Sequence, residues 1–182
     1  MNNIETKSLY WVFAILVIII APIIVLLTPV VLSVVIFDDA NKIAYISFAK
    51  NLIMYTLAFS IVAISLVILY FVKKLVTKLF VILASIFGFF SIYIMGLNYY
   101  VYLDENYIEY NPMFGSKVVY EWADLSHVGH VYPEMDTEEE TYIFTFNDGY
   151  TFRFEPTGAI DDSIKSKIDY KLELLEVPFD EY

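Results

Sequence analysis

The chain contains no cysteine. That excludes disulfides, cysteine-based zinc sites and thiol chemistry. Its six glycines are scattered, so no glycine-rich phosphate loop exists, and no G-x-S-x-G nucleophile pattern occurs. It has two histidines, His127 and His130. Three positions apart in a strand, they face opposite sides and do not readily chelate one metal. Basic residues are scarce in the second half. After residue 99 there are five, Lys117, Arg153, Lys165, Lys167 and Lys171, against 19 acids, a balance of −14. Before it, six lysines face Glu5, Asp38 and Asp39, a balance of +3, and the two sum to the formal −11 of the whole chain. A globule at −14 repels nucleic acid and anionic lipid head groups.

What the first half has is long apolar runs. The chain of 182 residues is 59% hydrophobic, above the ~45–50% of soluble domains, and the excess lies before residue 101. Three membrane spans are predicted, at about 9–37, 51–72 and 79–98. The first has no charge between Lys7 and Asp38. It is longer than the hydrocarbon core needs, so tilting or kinking is expected, with Pro22 and Pro29 as the kink points. Its length also speaks against a cleaved signal peptide. Tyr10, Trp11, Tyr70, Phe71, Tyr99 and Tyr100 sit near span ends as candidate interfacial anchors. Ala84 with Gly88, and Thr56 with Ser60, are small-xxx-small pairs suited to helix packing. The span interiors hold no Asp, Glu, His, Lys or Arg, which argues against a stand-alone transporter, channel or intramembrane protease.

Lys7, Lys73, Lys74 and Lys78 mark the N-terminus and the second loop as cytoplasmic, against Lys42 and Lys50 in the first loop. With three spans, the C-terminal domain then faces outward.

Residues 101–182 read as a small sheet-rich domain. Strands are predicted at 99–103, 107–110, 117–122, 125–132, 141–146 and 150–155. Asp104-Glu105-Asn106 and Asn111 to Gly115 serve as turns, and Asn147-Asp148-Gly149 is the clearest hairpin signal. Phe144 and Phe146, and Phe152 and Phe154, share strand faces. A helix at about 159–176 follows, capped by Thr157 or Asp161, with Ile160, Ile164, Ile168, Leu172 and Leu175 as its apolar stripe and Pro178 as its stop. Asp136, Glu138, Glu139 and Glu140 read as a solvated acidic loop. Their spacing does not match an EF-hand, although an outward-facing domain would meet Ca²⁺.

The 102–110 hairpin, the run Tyr120-Glu121-Trp122-Ala123-Asp124-Leu125-Ser126-His127-Val128, the 144–154 hairpin and the closing helix together resemble a bacterial PH-like domain tethered to membrane spans. The fold class expected is therefore three transmembrane helices plus a small PH-like β-sandwich or barrel with a closing C-terminal helix. Six strands are counted where a PH fold has seven. The turn at 111–117 carries one lysine, where phosphoinositide-binding members cluster basic residues, so head-group binding is not carried over. The resemblance implies protein binding instead.

The expected function is non-enzymatic and without cofactor or metal: a multi-pass plasma-membrane protein presenting a protein-interaction domain at the bilayer surface. Phe114, Trp122 and Tyr132 are the candidate docking residues for a protein or peptide, by strand addition or groove capture. Two other readings stand beside it. One is a self-protection or envelope-stress protein binding a cationic peptide or toxin. The other is an accessory subunit of a transporter or enzyme complex.

Overall fold

A computed structural model describes residues 3–131, 140–155 and 162–181. Its first part is helical. Helix α1 (Asn3–Val31) runs through both Pro22 and Pro29 and then changes to a π-helical turn, Leu32–Ile36. Pro29 has no N–H to give the carbonyl four residues back, and relaxed winding follows it. Helices α2 (Ala49–Phe71) and α3 (Leu75–Leu97) are joined by three residues, and so short a link makes them antiparallel neighbours. Residues Ser8–Ile36, Ala49–Phe71 and Leu75–Leu97 are each long and apolar enough to cross a membrane. The chain thus carries the helices of an integral membrane protein.

Helix α2 packs against both α1 and α3. Tight approach to α3 occurs at Gly96, where an added Cβ would lie 2.6 Å from Tyr55 Cε1 and 3.1 Å from Met54 Cβ. The Tyr55 hydroxyl donates to the Gly96 carbonyl at 3.1 Å. Thr28 on α1 donates to Ile24 O at 2.7 Å and therefore accepts from the Tyr93 hydroxyl of α3 at 2.8 Å. At the other end of the helices Trp11 meets Tyr70 edge-on, and the Lys78 ammonium lies 5.4 Å from the centre of the Tyr10 ring. Tyr10, Trp11 and Tyr70 are among the aromatic residues expected near span ends. Tyr99 and Tyr100 are different. Tyr99 stacks on Phe48 at 4.0 Å and Tyr100 is buried in a strand, so both belong to the sheet unit.

That unit comprises residues 35–48 together with 99–182, whereas the sequence placed everything before residue 101 with the membrane region. Among the described residues it holds eight strands. β1 (Lys42–Ser47) comes from the loop between α1 and α2. β2 (Tyr100–Asp104), β3 (Tyr107–Asn111) and β4 (Val118–Glu121) follow α3 and pair with β1 in the antiparallel order β1-β2-β3-β4. β5 (Leu125–Val131), β6 (Thr141–Phe146), β7 (Thr151–Phe154) and β8 (Phe179–Glu181) form a second sheet, ordered β7-β6-β5-β8. In it β8 runs parallel to β5.

Neither β1 nor β8 was expected from the sequence. In β1 Tyr45 lies opposite Tyr102 and Ile46 opposite Val101, and the Glu105 amide donates to Asn41 O at 2.8 Å. Backbone hydrogen bonds between strands cannot reach across a hydrocarbon layer. The first loop and the C-terminal domain therefore share one side of any membrane the helices cross.

The turns form where polar side chains close them. Asp104 Oδ1 accepts from the Asn106 amide at 2.8 Å. Gly149 takes a φ of 85° that side chains resist, and its amide donates to Phe146 O at 2.9 Å. The core between the sheets is built of Ile46, Val101, Leu103, Ile108, Trp122, Val128 and a cluster of phenylalanines at 144, 146, 152 and 154. Each such side chain contributes about 1.5–3 kcal/mol by leaving water. Helix α4 (Asp162–Leu174) adds Ile168 and Leu172 to this core, with Ile164 packed beside them. Leu175 is exposed, and Ile160 lies outside the described residues, as do Thr157 and Asp161.

The helix ends before Pro178. Val177 N donates to Leu172 O at 3.0 Å and Glu176 N to Glu173 O at 3.1 Å, with Glu176 at φ 54°. This is the left-handed termination that usually selects glycine. It turns the chain so that Pro178 O receives the Val128 amide at 2.9 Å and β8 docks on β5.

Candidate functional site

The sheet unit has an open cleft of about 590 Å³ at the β3–β4 turn. Tyr110 at the end of β3 and Phe152 of β7 form its floor, with rings stacked at 4.5 Å. The turn builds one wall. There Pro112, Phe114 and Ser116 line the space, and Gly115 holds a φ of 122°. Any Cβ at Gly115 would be strained by that φ and would meet the Pro112 ring at 3.4 Å. Tyr150, Thr151 and Arg153 form the opposite wall. β4 and β7, which border the cleft, are both outermost in their sheets, and edge strands present backbone donors and acceptors to an incoming strand.

Phe114 is 77% exposed. Among the described residues of the sheet unit it is the only exposed phenylalanine. Burial pushes the Tyr110 hydroxyl up to about 12, with Tyr99 and Tyr150 adding to the effect. The floor is therefore neutral at physiological pH. Lys117, next to the turn, is taken up by Glu109 at 3.1 Å, and Tyr100 donates to the other oxygen of that carboxylate at 2.5 Å.

The three expected docking residues separate. Phe114 is at the rim of the cleft. Trp122 is 3% exposed and belongs to the core. A 3₁₀ turn, Trp122–Asp124, points it inward. Glu121 and Asp124 brace that turn by a reciprocal capping box, and the indole donates to Asp104 O at 2.8 Å. Trp122 is thus a structural residue and cannot meet a partner while the domain is folded. Tyr132 lies outside the described residues. The cleft residues the sequence reading missed, Tyr110, Ser116, Tyr150 and Arg153, are distant in sequence. Only the packing of one sheet's hairpin against the other's brings them together.

No protein-family model matches this chain, and no curated protein matches it.

A second polar cluster lies away from the cleft. His130 Nε2 and Glu140 Oε1 are 2.7 Å apart, and the Lys165 ammonium donates to Glu140 Oε2 at 2.7 Å. Partial burial would raise the Glu140 carboxyl, but these two hydrogen bonds and the charges behind them hold it below the ordinary range. Glu140 therefore joins β5 to α4 rather than extending a solvated loop. Asp136, Glu138 and Glu139 lie outside the described residues. His127 faces a different acid, Asp180, at 3.6 Å. Among the described residues no three His, Asp or Glu side chains gather as metal ligands would.

Proposed function

We propose that this chain is a non-enzymatic, multi-pass plasma-membrane protein. In this reading it holds a PH-like interaction domain at the bilayer surface and captures a protein or peptide in the cleft beside Phe114. The observation that carries the proposal is Phe114 itself. A large apolar side chain left 77% exposed, at the rim of an open aromatic cleft and between two edge strands, is the feature expected of a docking anchor.

The PH-like reading draws support from the strand count. β1 to β4 and β5 to β7 number seven, followed by α4, and the seventh strand comes from the first loop. The lysine pattern supports an outward-facing domain. Lys73 and Lys74 lie in the loop opposite the one that supplies β1. Phosphoinositides are not the ligand in this reading, since Lys117 is engaged by Glu109.

The test is site-specific photocrosslinking in cells. A photoreactive residue at position 114 should give a discrete adduct, and the same residue at Tyr170, exposed on α4, should not. Identical adduct patterns at both sites, or none at 114, would remove the proposal.

A further inference from the structure

Arg153 is the only arginine in the chain. It projects from β7 opposite Ile143 of β6, on the face away from buried Phe152 and Phe154, and it lines the cleft. The half of the chain that contains it has 19 acids. Of the other described basic side chains there, Lys117 pairs with Glu109 and Lys165 with Glu140, while Lys167 and Lys171 lie on α4, away from the cleft lining. Arg153, among the described residues, makes no ion pair or hydrogen bond. A guanidinium is a rigid fork matched to a carboxylate, and here it is carried on the outward face of the edge strand β7, at the margin of the cleft.

We propose that the cleft selects an extended peptide carrying a carboxylate next to an apolar side chain. The peptide adds to the edge of β7. Successive side chains lie on opposite faces of an added strand, so an apolar group can enter the cleft on the Phe152 face while the neighbouring carboxylate engages Arg153 on the other face. The −14 balance of residues beyond 99 repels an anion at long range. Arg153 therefore contributes selectivity after contact rather than speed of encounter. A cationic peptide, which that field would attract, meets the one unpaired positive group in the cleft and is disfavoured there.

This inference rests on the docking role of the cleft, and its test separates the two. The full-length protein, in lipid nanodiscs, is titrated with synthetic extended peptides. Each bears a central Phe followed directly by Glu, Gln or Lys. The Glu peptide should bind roughly tenfold more tightly than the Gln peptide, the scale of one charge-assisted hydrogen-bonded pair. Arg153→Gln should abolish that preference, bringing the Glu and Gln peptides to equal affinity. Arg153→Glu should move the preference to the Lys peptide. Phe114→Ala should weaken all three. Equal binding of Glu and Gln peptides, still lost in Phe114→Ala, would overturn the carboxylate selection and leave the docking cleft standing. No binding of any peptide would overturn both.

Discussion

Trp122 and Phe114 were indistinguishable as aromatic residues in a polar stretch, and the structure gives them opposite roles. Trp122→Ala should cost about 3–5 kcal/mol, the usual loss for a large buried aromatic, and should unfold the sheet domain in thermal melts. Phe114→Ala should leave the melting temperature within a degree or so, because its ring is already in water. At the same scale, Glu140 sets an acid sensitivity. Its carboxyl is held below the ordinary 4.5, so the folded state binds a proton less readily than the unfolded one. That stability is complete above pH 4.5 and is lost as the pH falls through the lower folded value. Glu140→Gln should therefore destabilise by about 1 kcal/mol at neutral pH, and the gap to wild type should close on acidification. A gap independent of pH would assign the loss to packing rather than charge. Neither the inward turn of Trp122 nor the pairing of Glu140 with Lys165, 25 residues on, has a signature in local spacing. Both depend on how distant strands and the helix are brought together.

Among the elements, those joined by short hairpins were legible. Alternation and the Asn-Asp-Gly turn place β6 and β7 nearly to the residue. The helix was legible from its stripe and its stop from Pro178, but the left-handed turn at Glu176 that ends it was not, since that conformation is usually left to glycine. β1 was hidden for a physical reason. Its residues are buried on both faces, so Ile43, Ala44, Tyr45 and Ile46 form a short apolar run without alternation. Its partner β2 follows two helices later. In the membrane helices, the small-residue pairs pointed to Gly88, but the constrained glycine is Gly96. A Cβ at Gly88 would meet Ile61 at an ordinary 3.4 Å, while one at Gly96 would run into the Tyr55 ring at 2.6 Å. Gly96→Ala should cost about 1–3 kcal/mol by overpacking, read as a lower melting temperature in detergent. Gly88→Ala should be close to neutral. Equal effects would mean that the α2–α3 approach is looser than described.

For the whole molecule, the consequence is connectivity. β1 enters within six residues of the π-helical turn that ends the first span and leaves two residues before α2. β2 begins three residues after α3. The sheet unit is thus tied at three points to the membrane helices by short links, and a partner held at the cleft is held on that same unit. The sequence made the three spans and the acidic sheet domain legible as separate halves. It did not reveal that the loop between the first two spans belongs to the second half.

The most direct test of this account uses the absence of native cysteine. Tyr45→Cys and Tyr102→Cys, placed on facing positions of β1 and β2, should oxidise to an intramolecular disulfide in intact membranes. Tyr45→Cys with Glu121→Cys, on opposite edge strands of the sheet, should not. Efficient bonding of the first pair alone is the predicted result. Free thiols in the first pair under the same conditions would contradict a domain completed by the membrane loop.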